Sequence, residues 1–464
     1  LFRFIDSSAL QIVNGGELGK DQDWGCLCEG TEYTVWRTWP RRVALVLSVL
    51  IAVVGVLTAP APGRVTTSAI NAQLDKLAAM SPAQANRFLK QNPKAQIALL
   101  NAQPKAVATY WKDSSKADKA DAIRTAPQII GNLDGVDYTS RDKANRIELK
   151  RELAAQERLS TRNPSNETVR KNLASLKAID ATISGKRKIP RYLTMLTSDS
   201  PPLAAVSIGN LDTAKQVTYN VPGMGTYTND MQLWTQSAVN VFVAQGWAGA
   251  PKQRAVVAWI GYVTPPPGID AILGDYAARG STRVAEEIKG FWAARKSARS
   301  AEKPAVRALN PLPEVSIIAH SYGTTTAADA LADHKLDVFA FVMLGSAGIE
   351  RSIPNAAALH AQRVYAGEAA DDVEARWGRI TRVDPRSPAF GATVIGVDGT
   401  KGLYAVTGHD PILHSNYNDN PASAAWTWIK DKAELARQFA EHKKTYGYFD
   451  VGTESLENAA IAST

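Results

Sequence analysis

The chain is expected to adopt an α/β fold, a mainly parallel sheet preceded by an all-helical region, and three observations carry that expectation. From about Leu193, short β-branched runs alternate with helix-compatible stretches of ten or more residues, the texture of strands joined by crossover helices. Residues 65–190 are instead dense in Ala, Lys, Gln and Arg, with helix-period stretches such as Ala69–Met80 and Asn145–Leu159 and no strand signal. One apolar run, Val315-Ser316-Ile317-Ile318-Ala319, ends abruptly at His320-Ser321-Tyr322-Gly323 and gives way to small, helix-compatible residues.

In order along the chain, Pro82, Pro93, Pro104 and Pro127 start or break the helices of the first region, because proline lacks the amide a helix interior needs. The β-branched and apolar runs predict strands at Val217–Val221, Ala255–Trp259, Val315–Ala319, Val338–Leu344, Arg363–Gly367 and Thr393–Val397. Helices are expected at Asn229–Ala244, Ala271–Ala298, Tyr322–Ala332 and Ala422–Thr445. The junction at Ser321 has the form of a nucleophile elbow, G-x-S-x-G with Ala319 in the first small position. A serine there sits at the tip of a strained strand-to-helix turn, so only small residues fit two places before and after it. The helix that follows aims its first amides at negative charge developing on the serine side. This narrows the α/β expectation to an α/β-hydrolase fold, with residues 193–460 as its catalytic domain.

A length of 464 residues suits two domains plus extras, and an apolar content of 45% is enough for a large core. A net charge of +8 favours anionic surfaces such as membranes or cell-wall polymers. Nucleic acid is not an expected partner, since the basic residues are spread among acids along helices without an aromatic-interleaved platform. Nucleotide binding is disfavoured too, as the chain has neither G-x-G-x-x-G nor a Walker lysine. The only cysteines, Cys26 and Cys28, are too close for a good disulfide and too few for a metal site. No metal or organic cofactor is called for.

Arg37, Arg41 and Arg42 precede the apolar run Val43–Leu57, and Thr58-Ala59-Pro60-Ala61-Pro62-Gly63 closes it with small residues. Residues 37–61 therefore read as a signal peptide or signal anchor, which puts the remainder outside the cytoplasmic membrane and allows membrane contact through residues 43–57. The chain opens on Leu1, and Val35 suits a non-methionine start, so residues 1–36 are expected to be a start-site artefact or disordered.

A serine nucleophile needs a histidine base, an acid to orient it, and donors for the oxyanion, with the acid and then the histidine downstream in this fold. The strand at Arg363–Gly367 leads into Glu368-Ala369-Ala370-Asp371-Asp372, where Asp372 is the expected acid and Asp371 the alternative. Of six histidines, His320 lies inside the elbow, His334 and His360 precede the acid, and His442 lies in a charged helical run. His409 and His414 share the loop after the last strand, where the base belongs. The oxyanion donors are expected from the amide of Tyr322 and from Met224 or Gly225 in the turn Pro222-Gly223-Met224-Gly225-Thr226. Trp259, Tyr262 and Pro265-Pro266-Pro267 lie at the end of a strand, as pocket lining or as core and turn packing.

Several segments together resemble an actinobacterial α/β-hydrolase family catalogued as a domain of unknown function. They are Ile130-Gly131-Asn132-Leu133-Asp134-Gly135-Val136, Arg141-Asp142 with Ala144-Asn145-Arg146, Val221–Thr226, Ala258-Trp259-Ile260-Gly261-Tyr262, His320-Ser321-Tyr322-Gly323, Phe390-Gly391-Ala392 and His414-Ser415-Asn416-Tyr417. The resemblance spans roughly residues 105–460 and implies an exported or envelope-associated hydrolase with a helical N-terminal region. By position it implies Ser321 as nucleophile, Asp372 as acid and, through the pattern His-Ser-x-Tyr, His414 as base. The chain departs from the pattern at Ala319, where glycine is usual. It departs again in about thirty residues that separate His414–Tyr417 from Tyr448–Asn458, an insertion that keeps His409 in contention.

The expected activity is cleavage of a carboxylic ester through an acyl-enzyme, on an ester or acyl substrate such as a lipid or cell-envelope component. The alternatives are acyl transfer in the envelope, which shares the first half-reaction, and a non-catalytic binding module that keeps the fold.

Overall fold

The computed structural model describes residues 67–400, 402–414 and 445–464. The expectations for residues 1–36 and 37–61, and for a helix at Ala422–Thr445, lie outside that range except for Thr445 itself. Residues 65–464 form one compact unit.

The first region is helical throughout, as α1 (Thr67–Ala78), α2 (Pro82–Gln91), α3 (Pro93–Leu100), α4 (Pro104–Asp113), α5 (Lys116–Thr125), α6 (Pro127–Ile130), α7 (Tyr138–Arg162) and α8 (Glu167–Ile183). Each of the four prolines named above occupies the first position of its helix, where a missing amide costs nothing. Among the described residues the sheet has eight strands in the order β1 (Arg191–Leu196), β2 (Ala204–Ile208), β4 (Arg254–Ile260), β3 (Gln216–Val221), β5 (Glu314–His320), β6 (Val338–Leu344), β7 (Ala361–Gly367) and β8 (Thr393–Val394). From β4 through β8 all neighbours are parallel, whereas β2 runs antiparallel to both β1 and β4. The connecting helices are α9 (Met231–Trp247), α10 (Asp270–Leu273), α11 (Asp275–Ser300), α12 (Pro304–Leu309) and α13 (Tyr322–Asp333), while α14 (Val373–Gly378) follows β7 and α15 (Glu454–Ala462) closes the chain.

The six expected strands are present, although β8 keeps only Thr393 and Val394. The helix expected at Ala271–Ala298 is broken at Gly274, which takes a left-handed φ of 79°. β1 and β2 were not anticipated. Their sequences, RYLTML and AAVSI, are short of β-branched residues and flanked by prolines, and their burial against α7 and α9 supplies what local propensity does not.

The helical region is not a separate body. Its first helices enclose a core of their own around Leu74, Leu89, Trp111 and Ile129. Farther along, Leu149, Leu176 and Ile179 pack with residues of β1, β2, β4 and α9. The segments singled out in residues 130–146 make this junction. Asn145 donates from its side-chain amide to the carbonyls of Gly131 (2.8 Å) and Leu193 (3.0 Å), and the Leu193 amide donates to Asp142. Buried Arg141 pairs with Asp134 and approaches Glu287 of α11, which also accepts from the Tyr138 hydroxyl. Burial pushes the Asp134 carboxyl up to about 7 against the opposing pull of Arg141. These residues carry the attachment of α7 to the sheet edge and lie away from Ser321. Replacing Asn145 by Ala removes a donor from the Leu193 and Gly131 carbonyls, the latter keeping Arg141 Nε, and is expected to lower the unfolding free energy by about 2 kcal/mol in urea titrations, with the m-value unchanged.

Candidate active site

Ser321 ends β5 and caps α13 with φ 54° and ψ −130°, a left-handed conformation that a side chain enters only under constraint. The ladder supplies that constraint on one side, since the Ser321 amide donates to the Leu344 carbonyl of β6 at 3.0 Å. On the other, the Ser321 carbonyl accepts from the Thr324 hydroxyl at 2.7 Å and from the Thr324 and Ala347 amides. Two glycines make room. A Cβ on Gly323 would lie 2.4 Å from the Pro222 carbonyl oxygen, and one on Gly223 would lie 2.5 Å from the Ser321 Cβ. The small residue after the serine therefore answers to the end of β3.

The Ser321 Oγ lies 2.7 Å from His409 Nε2, and His409 Nδ1 lies 2.9 Å from both carboxylate oxygens of Asp372. With Nδ1–H donated to the carboxylate, Nε2 is left to accept the serine proton. Burial lowers the His409 pKa, but the hydrogen bond and charge of Asp372 outweigh it, and the net displacement is upward from 6.5. Burial likewise raises the Asp372 carboxyl. His409, the Ala375 amide and the Tyr448 hydroxyl together reverse that and hold it below the usual carboxylate range.

This geometry brings the alternative, His409, to the serine in place of His414, the base inferred from the family pattern. His414 is turned away from the serine: its Nε2 meets the Thr445 carbonyl at 2.7 Å and its ring packs on Tyr446. The alternative acid, Asp371, is exposed, and Asp372 is buried. Gly225 is corrected as an oxyanion donor as well, because its amide is already donated to the Pro265 carbonyl at 3.0 Å. The amides of Met224 and Tyr322 have no acceptor among the described residues, and they flank Ser321 from the β3 turn and from the first turn of α13. Trp259 and Tyr262 are buried and stacked on each other, so they pack rather than line a cavity. The Tyr262 hydroxyl donates to the Pro222 carbonyl at 2.7 Å and fixes the turn that faces the serine.

Two supports were not foreseen in the sequence. His320, one residue before the serine, meets the backbone carbonyl of His409 at 2.8 Å through Nε2, which must carry the proton to donate. Burial, with the His409 charge next, lowers its pKa to about 3, so it is a neutral donor. Tyr448 donates to Asp372 Oδ2 at 2.7 Å and accepts from the Ala369 amide at 2.9 Å. Tyr448 stands in the segment that resembles the family, thirty residues past the insertion point, and only its type and place there hinted at a role.

Ser321 at the end of β5, Asp372 after β7 and His409 after β8, in contact with one another on a sheet with this strand order, decide the architecture. The fold is that of an α/β-hydrolase. Residues 199–381 of the chain match the sequence model of a family described as alpha/beta hydrolase. Uncharacterised proteins of two Mycobacterium tuberculosis strains are each 27% identical over 303 residues, covering 59% of this chain and 44% of theirs. The chain thus matches less than half the length of these relatives. Among solved structures, a dienelactone hydrolase from Anabaena variabilis is 10% identical with a TM-score of 0.29, covering 53% of this chain and 97% of that one. A fungal esterase from Rhizomucor miehei is 13% identical with a TM-score of 0.32, covering 63% and 97%.

Replacing Gly223 by Ala should leave the protein folded but force the Met224 turn and Ser321 apart. Reactivity of Ser321 toward a fluorophosphonate should then drop by about 100-fold, on the scale of a lost oxyanion donor.

Proposed function

We propose that this α/β-hydrolase is an exported serine hydrolase that cleaves a carboxylic ester by way of an acyl-enzyme. The single observation that supports the reading is the unbroken chain of contacts from Ser321 Oγ to His409 to Asp372, at 2.7 and 2.9 Å. His409 takes the proton from the Ser321 hydroxyl as the oxygen attacks the ester carbonyl. The tetrahedral oxyanion is met by the amides of Tyr322 and Met224. His409 then protonates the leaving alcohol, and the same steps run with water to free the acid and restore Ser321. Asp372 keeps the imidazole in the required tautomer and stabilises the imidazolium, Tyr448 holds Asp372, and His320 fixes the backbone that carries the base.

Export rests on the composition of residues 37–61. No helix among the described residues is long and apolar enough to cross a membrane, and the run Val43–Leu57 lies outside them.

The test is labelling with a fluorophosphonate beside turnover of p-nitrophenyl esters. The wild type should label and turn over ester, Ser321→Ala should do neither, and His409→Ala should lose about 10,000-fold in kcat. His414→Ala should stay within about threefold, since surface substitutions away from a site have small effects. Loss with His414→Ala and not with His409→Ala would reverse the assignment, and absence of labelling in a folded wild type would sink the hydrolase reading.

Only neutral His409 accepts a proton, and Asp372 holds its pKa above 6.5. The value of kcat/KM should therefore rise with pH through a midpoint above 6.5. Asp372→Asn should move that midpoint down, because the neutral amide no longer favours the imidazolium.

A further inference from the structure

One peptide unit joins the Ser321 carbonyl to the Tyr322 amide, so hydrogen bonds that reach the carbonyl also act on the N–H that flanks the nucleophile. Electron density drawn toward the carbonyl oxygen leaves the N–H of the same peptide a stronger donor. The Ser321 carbonyl is well supplied. It accepts from the Thr324 hydroxyl at 2.7 Å, the Thr324 amide at 3.0 Å and the Ala347 amide at 3.3 Å. A carbonyl oxygen has two lone pairs, and three donors saturate it.

Two of those donors are themselves the ends of chains. The single proton of the Thr324 hydroxyl goes to the Ser321 carbonyl, because a carbonyl cannot donate. The Ser346 hydroxyl, 2.7 Å from Thr324 Oγ1, therefore donates to it. Ser346 Oγ in turn accepts from the Gly348 amide at 3.1 Å. The protons thus point one way, from the Gly348 amide through the Ser346 and Thr324 hydroxyls to the Ser321 carbonyl. The second chain runs through the backbone. The Ala347 amide shares a peptide with the Ser346 carbonyl, which accepts from Arg379 Nη1 at 3.1 Å. Glu368 accepts from both terminal nitrogens of that guanidinium and fixes its plane.

Thr324 and Ser346 are both buried, and hydrogen bonds in series polarise one another most where water is excluded. The other oxyanion amide is more weakly backed. The Met224 N–H shares a peptide with the Gly223 carbonyl, which accepts from the Thr226 amide at 3.4 Å, near the long limit of a hydrogen bond.

We propose that Thr324 and Ser346 are positioning residues of the reaction. Their hydroxyls, in series, polarise the Ser321–Tyr322 peptide, so that the Tyr322 N–H holds the oxyanion more strongly than an unassisted amide does. The effect on rate rests on the ester reading above; the polarisation of the amide does not. Bonds in series strengthen by about 10–30% per link, and one oxyanion donor contributes about 100- to 1,000-fold in kcat. The hydroxyl chain is therefore expected to contribute about two- to eightfold.

The experiment uses the full chain with Thr324→Val, which keeps the shape and removes the hydroxyl, Thr324→Ser, which keeps the hydroxyl, and Ser346→Ala. Each is first checked for an unchanged thermal transition. Tyrosine-selective isotope labelling reports the Tyr322 amide proton by NMR, its signal assigned through Tyr322→Phe. That proton should move upfield in Thr324→Val, less far in Ser346→Ala, and stay near its wild-type position in Thr324→Ser. With p-nitrophenyl esters, kcat should fall by about two- to eightfold in Thr324→Val, by less in Ser346→Ala, and recover in Thr324→Ser. KM and the midpoint of the pH profile should hold, because His409 and Asp372 keep their contacts. An unmoved Tyr322 proton in both Thr324→Val and Ser346→Ala overturns the proposal, and so does an unchanged kcat in both. A KM or pH midpoint that shifts along with kcat also overturns it, since the hydroxyls would then serve the fold of the elbow. Where Thr324→Val loses its transition, Ser346→Ala decides on the same readouts. If the Tyr322 proton moves as expected but the wild type reacts with neither fluorophosphonate nor ester, it is the ester reading that has failed.

Discussion

The rest of the site depends on holding one side chain where the backbone resists it. Ser321 sits at φ 54° and ψ −130°, a conformation that costs on the order of 1–3 kcal/mol for a residue other than glycine. Nothing in the serine offsets that cost. It is met by the β5–β6 ladder, which engages the Ser321 amide, and by Thr324 and Ala347, which engage its carbonyl. Once the turn is fixed, the consequences are geometric. Oγ is thrust beyond the end of the sheet, the Tyr322 amide at the helix start has no acceptor among the described residues, and the β3 turn comes so close that a Cβ on Gly223 or Gly323 would force a shift.

The serine and the acid were legible because local chemistry restricts them. An elbow needs small residues around a serine at a strand end, and the acid follows the second strand after it. The histidine was not legible, since its assignment depends on a contact that leaves little trace in sequence. His409 and His414 share a loop, and both fit the required chain order. What separates them is a fold of that loop, with the Asp450 carboxylate accepting from the amides of Leu413, His414 and Gly447 while His320 engages the His409 carbonyl. The partner that selects His409 is thus eighty-nine residues earlier in the chain. β1 and β2 escaped notice for a related reason, as burial stabilises them in spite of weak propensity. Gly225 misled because Pro-Gly-x-Gly fixes a turn without saying which amide the neighbouring Pro265 will claim.

The helical region shows how a strongly patterned segment can be structural. Asp134, Arg141, Asp142 and Asn145 have the density of charged and polar groups expected of a site. Their partners, however, are the backbone of β1 and of Gly131, Arg146, Glu287 of α11 and one another. A buried arginine with two carboxylates is weak evidence of stability by itself, but removal of any member would strand a charge. That makes the set a fastening that fixes how α7 meets the sheet, and it accounts for that pattern without any chemistry at the residues concerned.

The same logic explains how His409 keeps its place although about thirty residues separate 414 from 445 in the sequence. The two ends are stitched together beside it. Thr407 exchanges hydrogen bonds with Tyr446, Tyr448 donates to the Asp410 carbonyl, Phe449 to that of Pro411, and Tyr404 pairs with Gly452. These contacts form a seam that brings Tyr448 under Asp372 and leaves His409 clamped from the nucleophile side by His320. Ser321, His409 and Asp372 are then held by the β5–β6 ladder, the start of α14 and this seam. An insertion at residue 414 enters after His409 and returns before Tyr448, which donates to Asp372. The insertion is thereby placed where its length need not move Ser321, His409 or Asp372.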